Sequence, residues 1–302
     1  MQVSTGQFFR RQNENMVDLQ TKIANLQNQI ATGKKLELPS DDPVAFSDAS
    51  RYKYQLGKIS QFARNIDNVT QRLTAEEAAL GQFANVLTRI QELALQGAND
   101  TMGPSERSTI ALEIDLLRDE LVTLGNTRDN FGAAIFGGYQ SKGDVFKKGD
   151  DRLVEYVGDS NVPQVEVADG IYSPSGSNGM AIFMQVNIPG ETGAQSVFEL
   201  VEETIQELRN GRSGKDKISG IAASIDHIIG SRVLSGTRIS ALATQKEILD
   251  SDKLQSQVML SGVQDTDIER VVSELKQKLL SLEASQASFV KIAELSLFNY
   301  LR

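Results

Sequence analysis

Between Ile59 and Ala94, apolar residues recur at gaps of three and four: Ile59, Phe62, Ile66, Val69, Leu73, Leu80, Phe83, Leu87, Ile90 and Ala94. The one charged residue in that register is Glu76. This spacing draws a seam along one side of an α-helix and does not fit a strand, whose faces alternate at every residue. A long helix cannot cover its own seam, so other helices must lie against it. The turn Asn99-Asp100-Thr101-Met102-Gly103-Pro104 ends the run. Ile110, Ile114, Leu117, Leu121 and Leu124 then mark a return helix, which so short a turn directs antiparallel to the first.

Both chain ends carry similar seams. After Phe9, the positions Met16, Leu19, Ile23, Leu26 and Ile30 keep the same alternation, and Gly33 supplies a stop. Toward the other end, Ile268, Val272, Leu275, Leu279 and Leu282 lead to Phe289, with Gln286 in the seam before it. An isolated helix of this length is marginal in water. The terminal helices therefore need a partner: each other, further copies of the chain, or both. Between the first seam and the second lies Pro39-Ser40-Asp41-Asp42-Pro43. Ser40, Asp41, Asp42 and Pro43 read as a turn and helix cap, with Pro43 at the first helical position and the Asp42 carboxylate accepting the free N–H groups.

The character changes near residue 130. Short alternating runs at Leu153–Val157, Val165–Val167 and Ala181–Val186 are β-like and separated by turn residues such as Ser173-Pro174-Ser175-Gly176. About fifty residues make a thin core, so this segment must lean on a neighbour. Helical spacing returns at Phe198, Val201, Ile205 and Leu208, then at Ile218, Ile221, Ile225 and Ile228, and continues through Ile239, Leu242 and Leu249. The expected fold is mainly α: long helices in a coiled-coil, rod-like bundle with paired N- and C-terminal helices, plus a small β-rich insertion. Three parts are expected: 1–40 with 258–302, 41–141 with 196–257, and an insertion at 142–195.

Composition narrows the function. Forty acidic residues outnumber 31 basic ones, so a nucleic acid would be repelled. With no Cys, thiolate metal sites and thiol nucleophiles are excluded. No apolar run approaches the roughly 20 residues that span a bilayer, and the N-terminus lacks a basic-then-apolar signal segment. His227 is the only histidine and sits on a helical pattern without partners for a metal. The Gly-rich stretches match no phosphate-binding fingerprint, and the serines lack a nucleophile elbow. The acidic pairs Glu76-Glu77 and Glu202-Glu203 read as solvated helix faces. No catalytic constellation, cofactor site or metal site is expected, and the chain reads as a structural assembly protein rather than an enzyme.

Several stretches resemble the flagellin-like axial proteins of the bacterial flagellum, in particular their hook–filament junction members. The resemblance rests on Met1–Thr5, Gln29-Ile30-Ala31-Thr32-Gly33-Lys34-Lys35, and Pro39-Ser40-Asp41-Asp42-Pro43-Val44-Ala45. It continues in Ile110-Ala111-Leu112-Glu113, Leu124-Gly125-Asn126-Thr127-Arg128 and Ile135-Phe136-Gly137-Gly138-Tyr139-Gln140-Ser141. At the C-terminus it lies in Gln264-Asp265-Thr266-Asp267 and Leu295-Ser296-Leu297-Phe298-Asn299-Tyr300-Leu301. It covers about 1–145 and 258–302. The resemblance implies a ring of like subunits joining the hook, through the first hook-associated protein, to the flagellin filament. It implies an extracellular place in the flagellum, reached through the flagellar type III export apparatus without a cleaved signal peptide. A cytoplasmic export chaperone on the C-terminal helix is implied too, and Leu297 and Phe298 join the seam residues as candidate subunit contacts. Two other readings remain open: a flagellin-type filament subunit, and a helical sensory or ligand-binding module with the insertion as its pocket.

Overall fold

The computed structural model describes residues 5–140, 142–149, 152–188 and 193–300, with side chains left out at 5–6 and 293–300. Among the described residues there are six α-helices: α1 (Thr5–Thr32), α2 (Pro43–Gly97), α3 (Pro104–Gly125), α4 (Val197–Arg209), α5 (Ile218–Gln264) and α6 (Ile268–Tyr300). Among the described residues between α3 and α4 there are three two-stranded antiparallel ladders. They pair β1 (Phe146–Lys148) with β2 (Val154–Tyr156), β3 (Gln164–Ala168) with β4 (Ile171–Pro174), and β5 (Val186–Asn187) with β6 (Ala194–Gln195). The residues group into two units, Met1–Lys58 with Asp252–Arg302, and Ile59–Ser251.

The larger unit is organised by the α2 seam. Leu73, Leu80, Leu87 and Ile90 are fully buried. Its earlier stretch, from Ile59 to Leu73, packs with Val167 of β3 and with Leu242 and Leu249 of α5. Its later stretch joins α3, α4 and the β segment in one core. Five phenylalanines meet there: Phe183 lies 4.6 Å from Phe83, 5.0 Å from Phe136 and 5.3 Å from Phe146, ring centre to ring centre, and Phe198 lies 5.4 Å from Phe146. The β segment has no apolar interior of its own size; it places Phe146, Val154, Ile182 and Phe183 into the helical core instead.

α2 and α3 are joined as the turn residues require. Gly103 precedes Pro104, and its N–H donates to Glu106 Oε2 at 2.6 Å, closing the start of α3. Gly97 sits where a β-carbon would lie 2.6 Å from the Leu208 side chain, so a larger residue there would have to push the buried Leu208 of α4 aside. Arg107 ties the turn to the rest by donating to the carbonyls of Gly97, Asn99 and Gly211.

Two sequence expectations fail here. Residues 181–186 are not a strand: Met180–Met184 form a π-helical turn, and only Val186–Asn187 are extended. Asn178 Oδ1 accepts the Met180 N–H at 2.8 Å, and a β-carbon at Gly179 would meet the Phe136 carbonyl at 2.7 Å. That capped, glycine-dependent turn buries the adjacent Ile182 and Phe183 together, which a strand would send to opposite faces. The second failure concerns the acidic pairs. Glu77 and Glu203 are ion-paired near the surface, with Arg232 and Lys217. Glu76 is fully buried and accepts hydroxyl hydrogen bonds from Ser177 (2.7 Å) and Ser235 (2.6 Å). Glu202 is buried against the fully buried Arg118, which also pairs with Asp115 at 2.5 Å. A carboxylate can leave water when donors are already in place around it.

Candidate assembly interface

α1 and α6 pack side by side and antiparallel. At one end Phe9 meets Phe289 edge to face, with ring centres 5.3 Å apart. At the other, the chain is closed by backbone hydrogen bonds from Lys35 N to Gln264 O and from Thr266 N to Gly33 O, both 2.9 Å, flanking a bridge between Lys34 and Asp265. Gly33 turns α1 off at φ +70, a conformation that glycine adopts without strain. The linker then folds on its own carboxylates. Asp41 Oδ2 accepts from the N–H groups of Glu37 and Leu38, and Asp42 Oδ1 accepts from Val44 and Ala45, both at 3.0 Å. Pro43 is the first residue of α2, and Ser40 lies in the exposed turn before it. Asp41 and Asp42 thus act as local caps.

On α1, Met16, Leu19, Ile23, Leu26 and Ile30 all face the pair: Ile23 and Leu26 are buried, the others half-buried. On α6 the inward positions run Val271, Leu275, Lys278, Leu282, Ser285 and Phe289, with Val272 half-buried beside Val271. Two residues that the sequence places in this seam stand outside the intramolecular contact, Ile268 at 51% exposed and Leu279 at 39%. The side chains of Leu297 and Phe298 lie outside the described residues. Lys278 and Ser285 occupy seam positions where an apolar residue would pack better, which weakens the pair. Leu279, Leu280 and Val290 stand exposed beside or opposite this run, with Leu280 at 67% exposed, while Ile268 and Ile292 share the heptad positions of Leu275 and Ser285 and are exposed toward the ends of the run. Among the described seam residues only Ile23, Leu26 and Val271 are buried to below a tenth. The terminal pair is a half-covered structure with apolar surface to spare.

Among the described residues no group of three or more His, Asp or Glu side chains could hold a metal ion. His227 Nε2 lies 3.1 Å from the Ala181 carbonyl, where it serves packing between α5 and the π-helical turn. Among the described residues no helix is long and apolar enough to cross a membrane.

Comparison with known proteins places the chain. Residues 3–141 match the bacterial flagellin N-terminal helical region. Over its whole length the chain is 26% identical to flagellar hook-associated protein 3 of Salmonella typhimurium, covering 100% of both chains. It is also 26% identical to the Escherichia coli protein of that name, covering 99% of both. The chain is similar over its full length to flagellar hook-associated protein 3. Among solved structures of axial proteins, a putative flagellar hook-associated protein from Vibrio parahaemolyticus matches with TM-score 0.67 at 22% identity, over 74% of this chain and 100% of that one. The flagellar junction protein FlgL from Legionella pneumophila matches with TM-score 0.61 at 16% identity, over 72% and 100%. These two likenesses establish the axial-protein fold, mainly α with small antiparallel ladders.

Proposed function

We infer that this chain is a structural component of the bacterial flagellum, an extracellular axial protein at the junction between hook and filament. The observation that carries this reading is the full-length similarity to hook-associated protein 3, shared by both terminal helices and the segment between them. The half-covered α1–α6 pair supplies the physical reason for assembly: its outward apolar surface gains burial only when another molecule covers it. A mechanical, non-catalytic role agrees with carboxylates that are capped, ion-paired or hydrogen-bonded rather than poised in a cleft.

The finer arrangement is part of the proposal. Like subunits form a ring, with the first hook-associated protein on one face and flagellin on the other. Residues 1–40 with 258–302 form its inner layer, 41–141 with 196–257 a rod-like second layer, and 142–195 the outward insertion. Met16, Leu19, Ile23, Leu26, Ile30, Ile268, Val272, Leu275, Leu279, Leu282, Phe289, Leu297 and Phe298 are the contacts that assembly uses, within the pair or across it. A flagellar export chaperone covers the C-terminal helix before export through the type III apparatus. Nucleic acid, membrane insertion and cofactors have no part in it.

Deleting the gene in a flagellated host is the direct test. Cells that complete hooks yet carry no attached filaments, and that recover filaments with the restored gene, bear the reading out. Normal filaments in the deletion strain overturn it. Purified protein that polymerises alone into long filaments would favour the flagellin-type alternative.

A further inference from the structure

Two buried atoms on neighbouring turns of α2 have no hydrogen-bond partner among the described residues: Arg72 Nε, a donor, and Glu76 Oε2, an acceptor. The rest of each side chain is already engaged. The Arg72 guanidinium donates through Nη1 to Asp129 and through Nη2 to the carbonyls of Ala134 and Ile135. The other Glu76 oxygen accepts from Ser177 and Ser235, and Glu76 as a whole is fully buried. An unpaired donor and an unpaired carboxylate oxygen away from solvent cost more than a typical hydrogen bond gains. The two do not bond to each other, so they call for a group that both accepts and donates.

Gly176 marks the place for that group. A β-carbon built there would have as its nearest atoms, beyond its own chain neighbours, Arg72 Nε, Glu76 Oε2 and the Ile135 carbonyl oxygen, each at 3.4 Å. All three are polar, and 3.4 Å is ordinary contact for a carbon. A methyl group would therefore fit, and the Gly176 backbone is not in the left-handed region. Neither crowding nor conformation calls for glycine at this position; what a side chain would displace does. An unbonded oxygen stands further from the Gly176 α-carbon than a β-carbon does, which carries it toward the hydrogen-bond range of about 2.7–3.2 Å from the three atoms.

We propose that Gly176 leaves room for one bound water molecule, which accepts from Arg72 Nε–H and donates its two protons to Glu76 Oε2 and the Ile135 carbonyl. About three hydrogen bonds are the usual complement of a buried water. This water joins α2 to the loop after α3 and to the loop after β4, beside the point where Arg238 of α5 donates to the Gly176 carbonyl at 3.2 Å. Along α2, Glu76 lies between Leu73 of one apolar cluster and Ala79 of the other. The water is thus a structural ligand that seats the β segment on the helices where the apolar core is interrupted. The site lies wholly within residues 59–251 and does not rest on the flagellar reading.

NMR and urea unfolding of the full-length, isotopically labelled protein test this together. In the native chain the Arg72 Nε–H signal should show a cross-relaxation peak with water, of the sign given by a bound molecule and not by proton exchange. Gly176→Ala should abolish that peak. A glycine without a special role usually gains stability from the change to alanine; here the folding equilibrium constant of the larger unit should fall about tenfold, although the methyl fits. Gly176→Ser carries a hydroxyl, both donor and acceptor, to the same place and should recover most of that loss. Crowding alone predicts the reverse order, because serine is the larger residue. A native chain without the water peak, a peak that persists in Gly176→Ala, or a serine variant no more stable than the alanine one overturns the proposal.

Discussion

Replacing Leu280 by Glu separates the outward surface of α6 from its inward seam. Leu280 is 67% exposed, so about two-thirds of the roughly 1.5–3 kcal/mol available from burying a leucine remains to be gained in assembly. That is about 1–2 kcal/mol per subunit contact. Glutamate forfeits it and brings a carboxylate whose desolvation adds a few kcal/mol more. The contact should weaken by about 3 kcal/mol, a factor of more than about a hundred in its equilibrium constant. Within the monomer the same substitution replaces one good helix former with another on a solvated face, and should change stability by about 0.5 kcal/mol or less. Urea unfolding of the purified monomer and immunoblotting of isolated flagella measure the two effects. Leu275→Glu, on the half-buried inward seam, should instead lose both incorporation and the α1–α6 pairing. Native-level incorporation of Leu280→Glu would refute the reasoning, and so would loss of the α1–α6 pair in that monomer.

Further substitutions probe the parts that hold the chain in shape. Glu76→Leu strands the hydroxyls of Ser177 and Ser235 and should cost the larger unit about 2–4 kcal/mol in urea unfolding, whereas Glu76→Gln should cost less. Asp42→Ala removes the acceptor for two N–H groups at the start of α2; about 1 kcal/mol should be lost, seen as faster hydrogen exchange over residues 43–48. The Tyr156 phenol is pushed up to about 12 by burial first and by the Asp159 carboxylate second. The unfolded chain then gives up this proton at lower pH than the folded one, so stability should fall as pH rises from about 10 to 12. Tyr156→Phe should flatten that slope in a pH series of unfolding curves.

What could be read from the sequence was what the chain specifies locally. The seams of α1, α2 and α3, the stop at Gly33 and the cap at Asp42-Pro43 depend on neighbours within a few residues, and they stand in the structure as spaced. α6 was harder because it bears two apolar stripes. Leu279 and Val290 lie on the second, and only the antiparallel packing with α1 tells it from the inward run through Val271, Leu275 and Lys278. The burial of Glu76 was invisible for a different reason. Its donors Ser177 and Ser235 lie 101 and 159 residues away, so the carboxylate looks solvated until the fold brings them together. The π-helical turn at Met180–Met184 was masked likewise, because Ala181–Val186 has β-like composition and Gly179 is needed only by contact with the distant Phe136 carbonyl.

Hydrogen exchange on the purified monomer and on isolated flagella addresses the half-covered terminal pair most directly. Residues 59–251 should be protected in both. Residues 5–32 and 268–300 should exchange quickly in the monomer, where few seam positions are fully buried, and slowly in the flagellum, where neighbours cover them. Equal, strong protection of the terminal helices in both states would mean that the pair is complete within one chain, and assembly would need another driving surface.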